Sequence, residues 1–101
     1  MNITSTQGDA SGWRVVVVGE LDVSTAAALL DELATVAARE PDVVLLDLTN
    51  ASFIDSTGLR SIIEGHRLVT TAGGELFIDG VSAAAGKLLE IMGLVERFRR
   101  P

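Results

Sequence analysis

The 101-residue sequence contains no cysteine, which excludes disulfide bonds and metal sites with thiolate ligands. Positive charge is also scarce, because 8 Lys and Arg residues stand against 14 Asp and Glu residues and give a formal net charge of −6. Three of these cations, Arg97, Arg99 and Arg100, lie at the end of the chain, so the rest of it is more acidic still. Phosphate backbones are held by basic surfaces, and the charge balance therefore argues against nucleic acid as a partner.

Long apolar runs are missing as well. No run approaches the roughly 20 residues that a membrane-spanning helix needs. The segment Met1–Gln7 has neither the basic region nor the apolar stretch of a signal peptide, so we expect a cytoplasmic protein without direct membrane insertion. Apolar residues at 48% and charged residues at 22% are typical of a globular protein, and the length fits one domain that spans residues 1–101.

Short apolar segments with turn residues between them predict β-strands. The predicted strands are Ile3–Gln7, Trp13–Val18, Val43–Leu48, Glu75–Ile78 and Leu94–Phe98. Turn-forming residues at 8–12 predict a hairpin between the first two strands, and Asp79-Gly80 predicts a turn after the fourth. The continuous apolar run of the third strand is typical of a strand that is buried on both faces.

Three amphipathic segments between the strands predict helices. Their predicted limits are Asp22 or Ser24 to Pro41, Asp55 or Ser56 to Gly73-Gly74, and Ser82 to Gly93. The apolar stripe of the second helix consists of Leu59, Ile62, Ile63, Leu68 and Val69. The order β-β-α-β-α-β-α-β predicts an α/β fold with a mixed, mostly parallel sheet, an N-terminal antiparallel strand, and helices packed against the sheet.

Acidic residues follow three of the predicted strands, where the sites of α/β sheets gather. They are Glu20 and Asp22 after the second strand, Asp55 after the third, and Asp79 after the fourth. One interpretation is that these side chains cap helices and form turns, and another is that they bind magnesium, as in a phospho-accepting receiver domain. The only lysine, Lys87, lies inside the predicted third helix instead of at a strand end, which argues against a receiver.

A Ser–His–Asp hydrolase is excluded by helix geometry. The only histidine, His66, follows Ser56 by ten residues on the same predicted helix. At 1.5 Å per residue the two lie roughly 15 Å apart along the axis, whereas proton transfer needs a separation of about 3 Å.

The segment FIDSTGL, residues 53–59, places a carboxylate, two hydroxyls and a glycine at the start of the second helix. Capping by Asp55 or Ser56 explains one of these residues, but Gly58 in the first turn costs up to about 1 kcal/mol relative to alanine. A glycine there would remove bulk beside the hydroxyl, as close approach by another protein requires. The same helix end would accept a phosphate on Ser56, so simple capping and regulatory phosphorylation are both open.

Four motifs in order along the chain give a family resemblance. They are GELD (Gly19–Asp22), DSTGL (Asp55–Leu59), Gly73-Gly74 and Gly93-Leu94. In this combination the sequence resembles a STAS domain over about residues 3 to 98, and within that family it is most similar to the bacterial anti-sigma-factor antagonists. It departs from the sporulation antagonists at Arg60, where they carry a small glycine.

The resemblance implies a partner-switching regulator of transcription without catalytic activity, cofactor or metal of its own. Unmodified, it would bind an anti-sigma factor that is also a serine kinase of the histidine-kinase-like ATPase type. The kinase would phosphorylate Ser56 and so release the protein, and a serine phosphatase would reset it. The partner-binding residues that the resemblance implies are Asp22, Asp55, Ser56, Thr57, Gly58 and Leu59.

Two other functions remain as alternatives. The first is a STAS scaffold subunit of a lipid-transport or stress-signalling assembly, in which the same helix end docks a partner without being phosphorylated. The second is an enzyme that uses the acidic strand ends, and detectable binding of a divalent metal would support it.

Overall fold

The computed structural model describes residues 2–8, 12–83 and 86–87. Within them lie, in chain order, β1 (Asn2–Gln7), β2 (Gly12–Leu21), α1 (Ala26–Ala37), β3 (Val43–Ile54), α2 (Ser56–Thr71) and β4 (Glu75–Val81). The last predicted strand and most of the predicted third helix lie outside the described residues, as does the middle of the predicted hairpin turn.

The four strands form one sheet in the order β1-β2-β3-β4. The strand β1 is antiparallel to β2, with Gln7 opposite Trp13, whereas the pairs β2–β3 and β3–β4 are parallel. The prediction of a mixed, mostly parallel sheet with an antiparallel N-terminal strand is therefore confirmed. Both parallel connections pass through a helix, as parallel pairing requires.

Three strands run beyond their predicted ends, and in two of them, β2 and β4, glycines let the strand continue through irregular positions. The third, β3, continues from its predicted end at Leu48 to Ile54. The strand β2 passes Gly19, whose φ is 106°, and the pairing with β3 shifts register directly after it. The prediction of a turn at Asp79-Gly80 is wrong, since β4 continues to Val81 with Gly80 at a φ of 100°. Glycine adopts positive φ without steric cost, so the chain can bulge at these points and keep pairing.

The hydrophobic core lies between one face of the sheet and the two helices. Its fully buried side chains include Val15, Val17, Leu29, Leu33, Leu46, Leu48, Ile62 and Val69. In β3 these alternate with half-buried residues such as Val43 and Leu45. The expectation that β3 is buried on both faces is therefore not met in the described structure. The opposite face carries Arg14, whose guanidinium lies 3.2 Å from the Asp47 carboxylate and 2.6 Å from that of Asp79.

The two helices pack closely through a glycine that the predicted stripe did not include. A Cβ on Gly65 would lie 3.3 Å from the Cβ of Leu33 in α1 and closer still to one of its methyl groups. Ile63, which was predicted to face the core, is 37% exposed. The buried positions of α2 recur every three or four residues through Ile62 and Gly65, so Ile63 falls on the solvent side.

Candidate functional site

The carboxyl ends of β2 and β3 meet at one edge of the sheet. Leu21 pairs with Ile54, and the backbone N–H of Asp55 donates to the carbonyl of Leu21 at 3.2 Å. Because Asp22 directly follows Leu21, the loop after β2 lies beside the start of α2. The structure thus brings the Asp22 loop and the DSTGL segment together.

Asp55 is the N-cap of α2. Its backbone is extended, with φ −105° and ψ −175°, and its carboxylate accepts a hydrogen bond from the N–H of Gly58 at 2.8 Å. The choice between Asp55 and Ser56, which the sequence left open, is thereby decided. Ser56 becomes the first residue of the helix, and its side chain is exposed. Its hydroxyl forms no hydrogen bond within the described part of the chain.

The remaining residues of the DSTGL motif are less exposed than Ser56. Thr57 is half-buried, Gly58 is buried, and Leu59 belongs to the hydrophobic core at 4% exposure. A Cβ on Gly58 would lie 3.0 Å from the carbonyl carbon of Leu21 and closer than that to its oxygen. The close approach at Gly58 is therefore made by the chain's own β2, and the prediction that this glycine clears space for another protein is wrong. Gly58 and Leu59 can contribute to a binding surface only by positioning the start of α2.

The loop after β2 is ordered by hydrogen bonds to Asp22. Its carboxylate accepts from the hydroxyl of Ser24 at 2.6 Å and from the N–H of Ser24 at 2.9 Å. These bonds lower the pKa of Asp22 and hold it as an anion. The N–H of Asp22 donates to the hydroxyl oxygen of Thr25 at 2.9 Å, and that hydroxyl donates to the carbonyl of Glu20 at 2.9 Å.

The prediction that Asp22 or Ser24 caps the first helix is wrong. The N-cap of α1 is Thr25, whose own side chain makes no capping hydrogen bond. The N–H groups of Thr25 and Ala26 both donate to the carbonyl of Asp22, so a turn comes between β2 and the helix. The Asp22 side chain orders this turn and stays at the molecular surface, beside the start of α2.

Two large apolar side chains are exposed at the same edge. Val23, in the loop after β2, is 74% exposed, and Phe53, opposite Glu20 near the end of β3, is 48% exposed. Sequence reasoning did not single out either residue. Contiguous apolar patches rimmed by polar residues mark protein-interaction sites, and these two side chains add apolar surface to this edge.

The acidic strand ends do not form a metal site in the described structure. Asp79 is paired with Arg14 on the face of the sheet opposite the two helices, instead of joining Asp22 and Asp55. Burial on that face raises the pKa of Asp47, but hydrogen bonds from Thr49, together with the charge and a hydrogen bond of Arg14, outweigh it, and the pKa is lowered. Among the described residues, no group of three or more His, Asp or Glu side chains is placed to hold a metal ion. No helix within the same residues is long and apolar enough to cross a membrane.

Comparisons with known proteins give consistent results. The model of the STAS domain family matches residues 6–100. The anti-sigma-B factor antagonist of Staphylococcus aureus is 36% identical over 94 residues, which are 93% of this chain and 86% of that protein. An anti-sigma factor antagonist from Mycobacterium paratuberculosis is 26% identical, with a TM-score of 0.80 over 96% of this chain and 83% of that one.

The solved structures of the anti-sigma factor antagonist SpoIIAA share the fold. Its unphosphorylated form superposes with a TM-score of 0.82 at 16% identity, covering 98% of this chain and 86% of the other. The Bacillus SpoIIAA in its phosphorylated form gives a TM-score of 0.76, covering 98% of this chain and 89% of the other. Both likenesses extend over nearly the whole chain.

Proposed function

Because the chain belongs to the STAS domain family, we propose that it is an anti-sigma-factor antagonist that works by partner switching. In its unmodified form it binds an anti-sigma factor through the edge formed by the loop after β2 and the start of α2. The 36% identical S. aureus relative is named an anti-sigma-B factor antagonist, which supports the assignment as an antagonist. The likeness to SpoIIAA supports the fold on which such a function depends.

We further propose that Ser56 is the phosphorylated residue of the switch. The supporting observation is the position of its side chain at the first residue of α2, exposed and without a hydrogen bond in the described structure. A kinase must reach the hydroxyl from solvent, and Ser56 allows this, whereas Thr57 is half-buried. The kinase is the anti-sigma factor itself, a serine kinase of the histidine-kinase-like ATPase type, and a serine phosphatase removes the phosphate.

Phosphorylation changes the charge of a surface that is already acidic. A phosphoserine adds about −1.5 to −2 charges at neutral pH. Asp55 directly precedes Ser56, and the Asp22 loop lies beside the start of α2. The phosphate dianion would therefore add to two carboxylates at the binding edge. Burying that charge in an interface costs several kcal/mol, more than a surface pair with Arg60 on the same helix returns, and each 1.4 kcal/mol is a factor of ten in affinity. Release of the partner follows without a change of fold.

Mapping of the modified residue tests the assignment of Ser56. The unmodified chain is incubated with ATP and each purified ATPase-type anti-sigma kinase encoded in the same genome, and the phosphopeptide is sequenced by mass spectrometry. We expect phosphate on Ser56, none on Ser56→Ala, and wild-type levels on Thr57→Ala. Phosphate on Thr57 alone would contradict the assignment. A chain that binds such a partner but is never phosphorylated would favour the scaffold alternative.

A further inference from the structure

A groove lies between the first turns of α1 and α2, directly beside the proposed phosphorylation site. Its volume is about 320 Å³. Ala26, Ala27 and Leu30 of α1 form one side, and Thr57, Arg60 and Glu64 belong to the other. Since Thr57 follows Ser56, the groove is continuous with the surface through which the protein is proposed to bind its partner.

The groove exists because the start of α1 is built of small side chains. Further along the two helices, Gly65 packs against Leu33 and brings the backbones close together. In the first turn of α1, Ala26 and Ala27 leave the space opposite Thr57 and Arg60 unfilled. The result is an open surface with an apolar floor and a polar rim, the composition of protein-binding grooves.

The charges on the rim differ in how they are engaged. Glu64 accepts a hydrogen bond from the guanidinium of Arg67 at 2.7 Å, which lowers its pKa, so its charge is already paired. Arg60 is exposed and has no ion pair or hydrogen bond within the described residues. Since no described acidic side chain engages this cation beside the acidic edge, its charge is available to an acidic group of a partner.

We propose that the groove seats a short amphipathic segment of the anti-sigma factor, with an apolar side chain over Ala27 and Leu30 and a carboxylate against Arg60. This inference rests on the proposed function and adds the residues that select the partner. Asp22 and Asp55 favour a basic partner surface, and Arg60 demands the opposite charge one turn away. Such an alternation of sign fixes the register of a complex and excludes partners that lack it.

Isothermal titration with matched variants tests the groove. The probes are the purified ATPase-type anti-sigma factors encoded in the same genome, titrated into the unmodified full chain. Ala27→Trp fills the groove and Arg60→Glu reverses its free charge. Ala34→Trp and Arg39→Glu make the same changes at exposed positions near the other end of α1. We expect Kd to rise at least about tenfold for the first two variants and less than about twofold for the controls.

The outcomes separate this inference from the proposed function. If wild-type and groove variants bind equally well, while phosphorylation of Ser56 still releases the partner, the groove is not the docking site and the function stands. If only one of Ala27→Trp and Arg60→Glu raised Kd, the proposal of a segment with both an apolar side chain and a carboxylate would also be wrong. If no anti-sigma factor binds the wild type, the proposed function fails, and the inference with it.

Two further measurements distinguish a loss of docking from unfolding and from self-association. Thermal unfolding of each variant shows whether a loss of binding reflects a loss of fold, and Arg60→Lys, which keeps the charge, should recover part of the affinity. Sedimentation of the free chain measures its oligomeric state. A wild-type dimer that is lost in Ala27→Trp would assign the groove to a second copy of the chain and overturn the proposal.

Discussion

Gly58 lies in the first turn of α2, and the reason for a glycine there is a contact with a residue distant in the sequence, Leu21. A glycine at this position is unfavourable for a helix, and the sequence alone favours close approach by a partner protein as the reason for it. The carbonyl of Leu21 occupies that space instead. A linear sequence shows that bulk is excluded at a position, but it does not show which chain excludes it.

Gly58→Ala should therefore destabilise the protein, although alanine is the better helix former. The new methyl group would collide with the backbone of Leu21, which cannot rotate away, and overpacking of this kind costs about 1–3 kcal/mol. Chemical denaturation measures the loss. Gly65→Ala is the comparison, because its Cβ meets the side chain of Leu33, which has rotamers to relax into, and it should cost less. If Gly58→Ala were as stable as the wild type or more stable, the Leu21 contact would not explain the glycine, and close approach by a partner protein would be favoured again.

Arg60 lies four residues after Ser56, so the two side chains share one face of α2. A phosphate on Ser56 should attract the unpaired guanidinium and lose its second proton more readily. We expect the second pKa of phosphoserine at position 56, about 6 in free form, to rise by a few tenths of a pH unit in Arg60→Ala. A ³¹P NMR titration of the domain alone measures it, with phosphoserine incorporated during synthesis. Arg67→Ala, three turns away, is the control, and equal shifts in both variants would disprove the pairing.

At the scale of elements, the start of α2 depends on the cap at Asp55. The carboxylate satisfies the N–H of Gly58 and so fixes where the helix begins and which residue comes first. Asp55→Ala should cost about 1 kcal/mol of unfolding free energy, whereas Asp55→Asn keeps an acceptor and should cost much less. Equilibrium denaturation by urea compares the two. If Asn were as harmful as Ala, the negative charge and not the cap would stabilise the helix.

The sequence was sufficient to predict the kind and order of the described elements. The valine-rich stretch of β2, the apolar run of β3 and the stripe through Leu59, Ile62 and Val69 have the periodicities of buried strands and an amphipathic helix. The sequence also limits the N-cap of α2 to two neighbouring residues, Asp55 and Ser56, and the structure shows that Asp55 is the cap. These features depend on local patterns, which a sequence contains in full.

The details that were wrong depend on contacts between elements. Local patterns predict that strands end before Gly19 and Gly80. Pairing with β3 instead continues through Gly19 and resumes at Val81 after Gly80, because the neighbouring strand supplies hydrogen bonds. The buried stripe of α2 includes Gly65 and not Ile63, because Leu33 of α1 packs against Gly65. The exposure of Phe53 had a weak signal, since only one member of the pair Phe53-Ile54 can face the core of a sheet.

At the scale of the whole molecule, charge must act locally for the switch to work. The chain already carries a formal charge of −6, so a further −1.5 to −2 from a phosphate is a modest change in its long-range field. At salt concentrations near 0.15 M, charges more than about 8 Å apart in solvent are largely screened. The effect of phosphorylation must therefore come from the interface itself, where Asp55 precedes the modified residue, the Asp22 loop lies beside the start of α2, and solvent is displaced by the partner.

The most direct test of release by local charge is titration calorimetry against the cognate anti-sigma factor. Three forms are compared: the unmodified chain, the chain with phosphoserine at position 56, and Ser56→Asp. We predict that the phosphate raises Kd by about two orders of magnitude or more. Ser56→Asp should give a smaller rise, because it carries less charge, and circular dichroism should show the same helix content in all three. Equal or tighter binding of the phosphorylated form, or a loss of binding that accompanies unfolding of α2, would contradict the account.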